Sequence, residues 1–370
     1  MGAMRVLVFG GSFDPPHKGH TALLKTAIKA TRPNKVIVVP AFQAPLKGTH
    51  SASAADRLAL AKLAFGDRAT IDAVEFRSRR RVYTVETLSR LKKKFPSAEL
   101  CFAVGSDSAA QFYKWRNPAR LRALATWWTA RRPVGAKPPD FFHRLPGKMP
   151  DASSTEARRR LALGEPVSDL LSPRIEGFIR RRGLYGTRTL ARLSRSLKES
   201  RFEHTVCVAR LADELAARHA LDRERARLAG LLHDCGRALR VDAMPAYARR
   251  RRLKIPNFSG IVANNPILLH AFVGEDVARR VYGVRDPEVL AAIRNHTLGR
   301  PGMGPLERAL YVADFSSEDR GYREAKRVRR LARRDLSAAF RETVAFKRHF
   351  VREDGAWAHP LTDLLWKSLR

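Results

Sequence analysis

The hydrophobic periodicity of this chain changes once, near Gly183-Leu184-Tyr185-Gly186, and that change requires two separately built units. Before it, short apolar runs at 5–9 (RVLVF), 35–40 (KVIVVP), 99–104 (ELCFAV) and 124–129 alternate with helical periods at 20–31, 54–65 and 82–94. Two further helices are predicted at 154–163 and 171–182, and the Pro- and Gly-rich stretch 133–150 reads as a loop or extended stretch without a long regular element. Buried runs alternating with helices argue an open, mostly parallel sheet with helices on both faces. In such sheets ligands bind beyond the carboxyl ends of the strands. After the change only helical periods remain, at 204–218, 223–233, 272–282, 286–295, 305–314 and 322–349. The expected fold class is therefore an α/β domain with a doubly wound parallel sheet, residues 4–186, followed by an all-α domain, residues 190–370. The length of 370 residues suits two domains.

Net charge narrows the partners. The chain carries 71 basic and 36 acidic residues, or +35. Residues 1–190 hold 35 basic and 14 acidic (+21), leaving 36 and 22 (+14) for the rest. With both halves basic there is no separate basic arm. Such a field attracts small polyphosphates as readily as nucleic acid, and no zinc-finger spacing or repeat supports specific nucleic-acid recognition. No run of 18 apolar residues is present, so no membrane span is expected. Cys101, Cys207 and Cys235 lie far apart, which excludes a disulfide framework and suits a reducing cytoplasm. Arg5 leads directly into the first strand without a signal-peptide apolar region, so the expectation is a cytoplasmic chain.

The first run closes on Gly10-Gly11-Ser12-Phe13-Asp14-Pro15-Pro16-His17-Lys18-Gly19-His20, a loop that opens a helix. Gly10 and Gly11 permit close backbone approach, and His17 and His20, three apart, can face one pocket. Gly19 leaves room for a phosphate at the helix N-terminus, a ready anion site. Asp14 either holds the loop as an Asx cap or faces a ribose.

This loop resembles the HxGH signature of the nucleotidyltransferase superfamily. Further strings are similar to those of bacterial nicotinate-mononucleotide adenylyltransferases, over about 4–186. They are Tyr83-Thr84-Val85-Glu86-Thr87-Leu88, Val104-Gly105-Ser106-Asp107-Ser108 with Phe112 and Trp115, Arg132-Pro133, Ser153-Ser154-Thr155-Glu156-Ala157-Arg158, and Gly183-Leu184-Tyr185. The resemblance implies adenylyl transfer from ATP, carried by Mg²⁺, to nicotinate mononucleotide. Attack by an already ionised phosphate needs positioning and charge stabilisation rather than a base. It implies that His17, His20, Lys47 and Arg158 contact the triphosphate, with Ser154 and Thr155 at a helix start. Gly10, Gly11, Ser12, Phe13, Gly105 and Arg132 would complete the nucleotide surface, and Thr84, Asp107 and Trp115 the pyridine side. Trp115 suits stacking on a flat ring, or a place in the core behind Phe112. The chain departs from the family at Ala44-Pro45-Leu46-Lys47, where a histidine is usual, at Val82 for serine, and at Ala157 for isoleucine.

The second half carries His204, His233-Asp234, His270, His296 and Asp314 in or beside helical segments. Six ligands exceed the four of a structural zinc site. Mixed imidazole and carboxylate donors suit a pair of ions such as iron or manganese, and two close ions can activate water and clamp a phosphate. With Leu269-His270-Ala271, Asn295-His296-Thr297 and Tyr311-Val312-Ala313-Asp314, the set resembles the HD-domain phosphohydrolases over about 190–349. The nearest likeness is to enzymes that split diadenosine tetraphosphate symmetrically into two ADP. In that likeness His204, His233, Asp234 and Asp314 hold one ion, while His270 and His296 join Asp234 around the other. Arg237 and Arg320 are candidates for phosphate contact, and the Arg249–Arg252 run either covers polyphosphate or is a solvated helix end. The competing readings are transfer to nicotinamide mononucleotide or pantetheine phosphate, a C-terminal nucleotidase or phosphodiesterase, and a basic RNA-associated protein.

Overall fold

The computed structural model describes residues 4–43, 50–78, 80–130, 137–353, 355 and 357–369. The chain divides into two compact units, Met1–Arg188 and Thr189–Arg370. The first runs β1 (Arg5–Gly11), α1 (Lys18–Thr31), β2 (Lys35–Pro40), α2 (Ala54–Phe65), β3 (Thr70–Ile71), α3 (Val74–Ser78) and α4 (Thr84–Lys94). It continues with β4 (Glu99–Val104), α5 (Ser106–Ala109), α6 (Pro118–Leu124), β5 (Thr126–Ala130), β6 (His143–Leu145), α7 (Ser154–Leu163) and α8 (Pro173–Arg182).

The six strands pair in parallel in the order β3-β2-β1-β4-β5-β6. The chain winds outward from β1 and then crosses back to β4, so the switch point lies between these two strands. Successive side chains alternate between faces. Val6, Val8, Phe102 and Val104 pack with Leu88 and Leu91 of α4 and Leu121 of α6. Leu7, Phe9, Cys101 and Ala103 meet Leu23, Leu24 and Ala27 of α1 and Phe65 of α2. Burial on both faces is why these strands are unbroken apolar runs. Within the stretch 133–150, His143, Arg144 and Leu145 of the short strand β6 pair with Trp128, Thr129 and Ala130.

α9 (Thr187–Ser196) begins two residues before the boundary, and the second unit continues with α10 (Glu199–Arg218), α11 (Arg223–Leu232), α12 (Met244–Arg250), α13 (Phe258–Asn264) and α14 (Leu269–Val281). Then follow α15 (Pro287–Asn295), α16 (Pro305–Ser316), α17 (Arg323–Ala332), α18 (Leu336–Glu353) and α19 (Pro360–Lys367). α10 packs on α11 and α16, and α15 packs on α14 and α16. The single helix predicted over 322–349 is two: the Asp335 carboxylate accepts from the Ala338 N–H at 2.8 Å, starting α18 afresh. No helix among the described residues is long and apolar enough to cross a membrane.

α10 and α11 touch through Gly230, where a Cβ would lie 2.5 Å from the Ala209 Cα. The contact is backbone to backbone, so no side chain can move aside. Gly230→Ala is expected to destabilise the second unit by about 1–3 kcal/mol through forced separation of these helices. Urea unfolding measures this, and a variant as stable as the parent would show that the close approach contributes nothing.

Candidate active sites

A cavity of about 880 Å³ opens at the switch point of the sheet. Gly10, Gly11, Ser12, Phe13 and Asp14 at the end of β1 line it, with His17 and His20 from the start of α1. Thr84 of α4, Gly105, Asp107 and Trp115 after β4, and Ser154, Thr155 and Arg158 of α7 complete the predicted set. Lys47 and Arg132 lie outside the described residues. The cavity therefore collects residues from segments up to 149 positions apart in sequence, Phe9 to Arg158.

Local chemistry explains the placement. His17 caps α1, and its backbone N–H donates to His20 Nδ1 at 3.2 Å. That bond requires a lone pair on Nδ1, so the neutral His20 ring carries its proton on Nε2, a donor. The two rings lie 3.7 Å apart, centre to centre. A Cβ at Gly19 would come within 3.0 Å of His17 Nδ1, so the glycine makes room for the imidazole itself. Arg158 Nη1 donates to the Asp14 carbonyl at 2.8 Å, and Ser154 Oγ to the Pro15 carbonyl at 2.9 Å. These bonds fasten the N-terminus of α7 to the β1–α1 loop. Trp115 is half-buried, packing on Phe102, Phe112 and Trp127 while lining the cavity, so it serves the core and the site together.

Asp14 takes the loop-holding role. Its carboxylate is buried and accepts from the Ser51 N–H (2.8 Å), the Ala52 N–H (3.2 Å) and the Tyr185 hydroxyl (2.8 Å). Burial pushes its pKa up, but the bonds to His50, Tyr185 and Ser51 outweigh burial and hold it below the ordinary value. Sequence reasoning missed three supporting groups. Tyr185 is one. Arg57 is another: its guanidinium donates to the carbonyls of Ser12 (3.2 Å) and Phe42 (2.6 Å), tying the ends of β1 and β2 together. The third is Glu75, a buried cavity-lining carboxyl that burial raises and that accepts from the Phe42 N–H at 3.1 Å. A buried polar residue in an otherwise amphipathic helix was the only available signal for Arg57.

In the second unit six residues meet. His204 comes from α10, His233 and Asp234 from the end of α11, His270 from α14, His296 from the end of α15, and Asp314 from α16. Two groups of donor atoms each lie within 4.8 Å of one another: His204, His233 and Asp234, and Asp234, His270 and His296. Asp234 belongs to both. Asp314 Oδ1 lies 3.2 Å from His204 Nε2 and 3.8 Å from His233 Nε2, on the first group. A Cβ at Gly236 would lie 2.2 Å from the His270 carbonyl, so only glycine lets the His-Asp turn sit against α14.

The donors fit cations. His270 Nε2 and His296 Nε2 face each other at 3.1 Å. Both rings give their Nδ1 proton to a backbone carbonyl, of Ile267 and Ile293 respectively. Burial, with neighbouring charges, lowers their pKa values to about 4 and about 3, so both are neutral and two lone pairs converge. His233 Nε2 is fully buried, with no hydrogen-bond partner among the described residues. Burial pushes the Asp234 and Asp314 carboxyls up, yet both are held below the ordinary carboxylate range. Asp314 lies 3.2 Å from His204 and 3.6 Å from Lys347, and Asp234 lies beside Arg201 and Arg237. Converging lone pairs beside buried anions match a pair of transition ions.

Basic groups border the centre. Arg201 Nη1 lies 3.0 Å and Arg237 Nε 3.3 Å from Asp234, and Arg320 Nη2 3.4 Å from His204 Nε2. Lys347 Nζ lies 3.6 Å from Asp314. Arg201 and Lys347 were not legible in the sequence; Thr297, quoted there only as part of a string, has its hydroxyl 2.9 Å from His296 Nε2. The Arg249–Arg252 run is partly occupied with protein: Arg249 stacks on Phe258, Arg250 on Tyr247, and Arg251 pairs with Asp276 at 3.2 Å.

Fold and sites together define a nucleotidyltransferase-like unit followed by an HD-type hydrolase-like unit. Residues 8–160 match the cytidylyltransferase-like family and residues 201–331 the HD domain. Over 186 residues the chain is 33% identical to the "Probable nicotinate-nucleotide adenylyltransferase" of Shouchella clausii, covering 49% of this chain and 97% of that protein. Over 180 residues it is 34% identical to "Bis(5'-nucleosyl)-tetraphosphatase, symmetrical" of Bacillus subtilis, covering 49% of this chain and 95% of that protein. A Mycoplasma genitalium protein, "Probable nicotinate-nucleotide adenylyltransferase/Ap4A hydrolase", is 28% identical over 361 residues, covering 94% of this chain and 99% of its own length. The chain belongs to the cytidylyltransferase-like family, in its nicotinate-nucleotide adenylyltransferase-like group, over its first half, and to the HD-domain hydrolases over its second.

The Asp14 cluster gives a pH-dependent expectation. Its native pKa lies below the ordinary 3.8, so its contribution is present above about pH 4 and lost as pH falls through the depressed value. Tyr185→Phe, which removes one donor, should cost the first unit about 1–3 kcal/mol at pH 7. The deficit should shrink below pH 4 as the parent's own carboxylate protonates. A deficit unchanged between pH 7 and pH 3, measured by denaturant unfolding, would refute the charged hydrogen bond as its source.

Proposed function

We propose that the chain is a bifunctional enzyme of pyridine-nucleotide synthesis and dinucleotide turnover. The first unit joins ATP and nicotinate mononucleotide into deamido-NAD and pyrophosphate. The second splits diadenosine tetraphosphate into two ADP. The observation that carries this reading is that one chain holds both the cavity at the sheet switch point and the shared-carboxylate cluster. Similarity along nearly the whole length to a relative named for both activities supports it.

In the first unit the nucleophile is a phosphate oxygen that is already ionised. It attacks the α-phosphorus of ATP, and the bond to the bridging oxygen of pyrophosphate breaks. His20, protonated on Nε2, and Arg158 offer charge and hydrogen bonds to the triphosphate, while α1 presents its N-terminus. Mg²⁺ enters as part of the ATP substrate. Trp115, Thr84 and Asp107 form the acceptor side of the cavity, where an indole can lie against a pyridine.

In the second unit His204, His233, Asp234 and Asp314 would hold one cation, and Asp234, His270 and His296 the other. Such a pair, iron or manganese, supplies polarisation of a phosphoryl oxygen and of the attacking water. Arg201, Arg237, Arg320 and Lys347 add positive charge around the same centre, which favours a polyphosphate chain. Breaking the bridge between the two inner phosphates gives two ADP.

The test is product analysis with the purified full chain, given ATP plus nicotinate mononucleotide and, separately, diadenosine tetraphosphate. His17→Ala and His20→Ala should each lower adenylyl transfer about 100-fold or more while leaving hydrolysis intact. Unchanged turnover in both would remove the histidines from the phosphate site. Asp234→Ala should abolish hydrolysis, reduce the bound metal below two ions per chain and spare adenylyl transfer. ATP plus AMP as hydrolysis products would overturn the symmetric reaction.

A further inference from the structure

Three of the four imidazoles in the second centre are oriented by their own stretch of chain. His233 Nδ1 lies 2.7 Å from the Gly230 carbonyl, His270 Nδ1 2.6 Å from that of Ile267, and His296 Nδ1 2.7 Å from that of Ile293. Each partner is the carbonyl three residues earlier. A carbonyl can only accept, so each Nδ1 carries the proton and each Nε2 presents a lone pair.

His204 is built differently. It sits within α10, and its Nδ1 lies 2.7 Å from Asp319 Oδ2, a carboxylate 115 residues away in the segment between α16 and α17. Its Nε2 faces Asp314 Oδ1 at 3.2 Å. The side chain of His204 is 6% exposed and that of Asp319 31% exposed, so the carboxylate approaches a buried ring from the solvent side.

We propose that Asp319 is the positioning residue for one of the two cation sites, the one formed by His204, His233, Asp234 and Asp314. This rests on the reading of the cluster as a two-cation centre. Asp319 accepts the Nδ1 proton and so fixes both the tautomer and the rotation of His204. A neutral carbonyl does as much for the other three rings. The carboxylate adds a negative charge behind the imidazole, which strengthens Nε2 as a donor to a cation. The two sites are therefore inequivalent: one includes a histidine backed by a charge, and the other has histidines backed only by amide carbonyls. Occupancy of the first is also linked to the 317–322 segment, since that segment carries Asp319, whereas the second draws its ring orientation from its own helices.

The experiment uses the full chain, stripped by chelator and titrated with Mn²⁺ alone, with bound metal counted by elemental analysis. The wild type should bind two ions. Asp319→Ala should weaken one site about 10- to 100-fold and leave the other unchanged. Asp319→Asn, which keeps an acceptor but lacks the charge, should fall between them. The melting temperature of the metal-free protein should be the same in Asp319→Asn and wild type, with the rise on adding Mn²⁺ smaller in the variant. Two ions bound by Asp319→Ala as tightly as by wild type would overturn the proposal. Equal weakening of both sites, with a matching loss of metal-free stability, would overturn it in favour of a purely structural bond. A wild type that binds no Mn²⁺ would overturn the two-cation reading itself.

Discussion

A carboxylate removed from water must find positive charge nearby, and Asp234 is the residue around which the second unit meets that demand. It is 2% exposed, yet its pKa is held below the ordinary carboxylate value, with the guanidiniums of Arg201 and Arg237 at 3.0 and 3.3 Å. Four helices deliver the surrounding imidazoles, and their closeness depends on glycines where backbones touch, Gly230 against Ala209 and Gly236 against His270. Burial keeps His270 and His296 neutral, so their lone pairs remain available to a cation. The cluster is thus a site whose favourable occupant is defined by charge before any substrate enters.

The first unit uses a buried carboxylate to hold the loop that carries its chemistry. Asp14 binds the 50–52 segment and Tyr185, and its own carbonyl receives Arg158. The loop bearing His17 and His20 is thereby fixed where it lines the cavity. Arg57 does the same for the ends of β1 and β2. A nucleotide site that relies on positioning needs such fixed supports, because misplacement of a charged group costs more than its absence from a flexible surface.

Much of this was legible in the linear chain. The apolar runs defined β1, β2 and β4 because strands buried on both faces must be continuously apolar. The α1 N-terminus was marked by the glycine- and histidine-rich loop before it. The residues His204, His233, Asp234, His270, His296 and Asp314, which the fold brings together, were singled out by type and order. The break between α17 and α18 was missed, since Asp335 as a cap looks like any surface aspartate until the Ala338 N–H is seen to meet it. β6 was legible only as loop or extended chain, because three residues between prolines and glycines carry no period, and only pairing with β5 makes them a strand.

What the sequence determined by itself is the class of each half and the identity of the chemistry-bearing residues, because periodicity and residue type are local properties. The tertiary structure alone decided which way those residues act. It turned Asp14 toward Tyr185, gave Trp115 to core and cavity at once, engaged Arg249, Arg250 and Arg251 with Phe258, Tyr247 and Asp276, and brought Asp319 to His204. The Asp14–Tyr185 and Asp319–His204 contacts join positions 171 and 115 residues apart along the chain. A carboxylate 115 residues from its imidazole leaves no periodic trace, so only folding can show that the two form one unit.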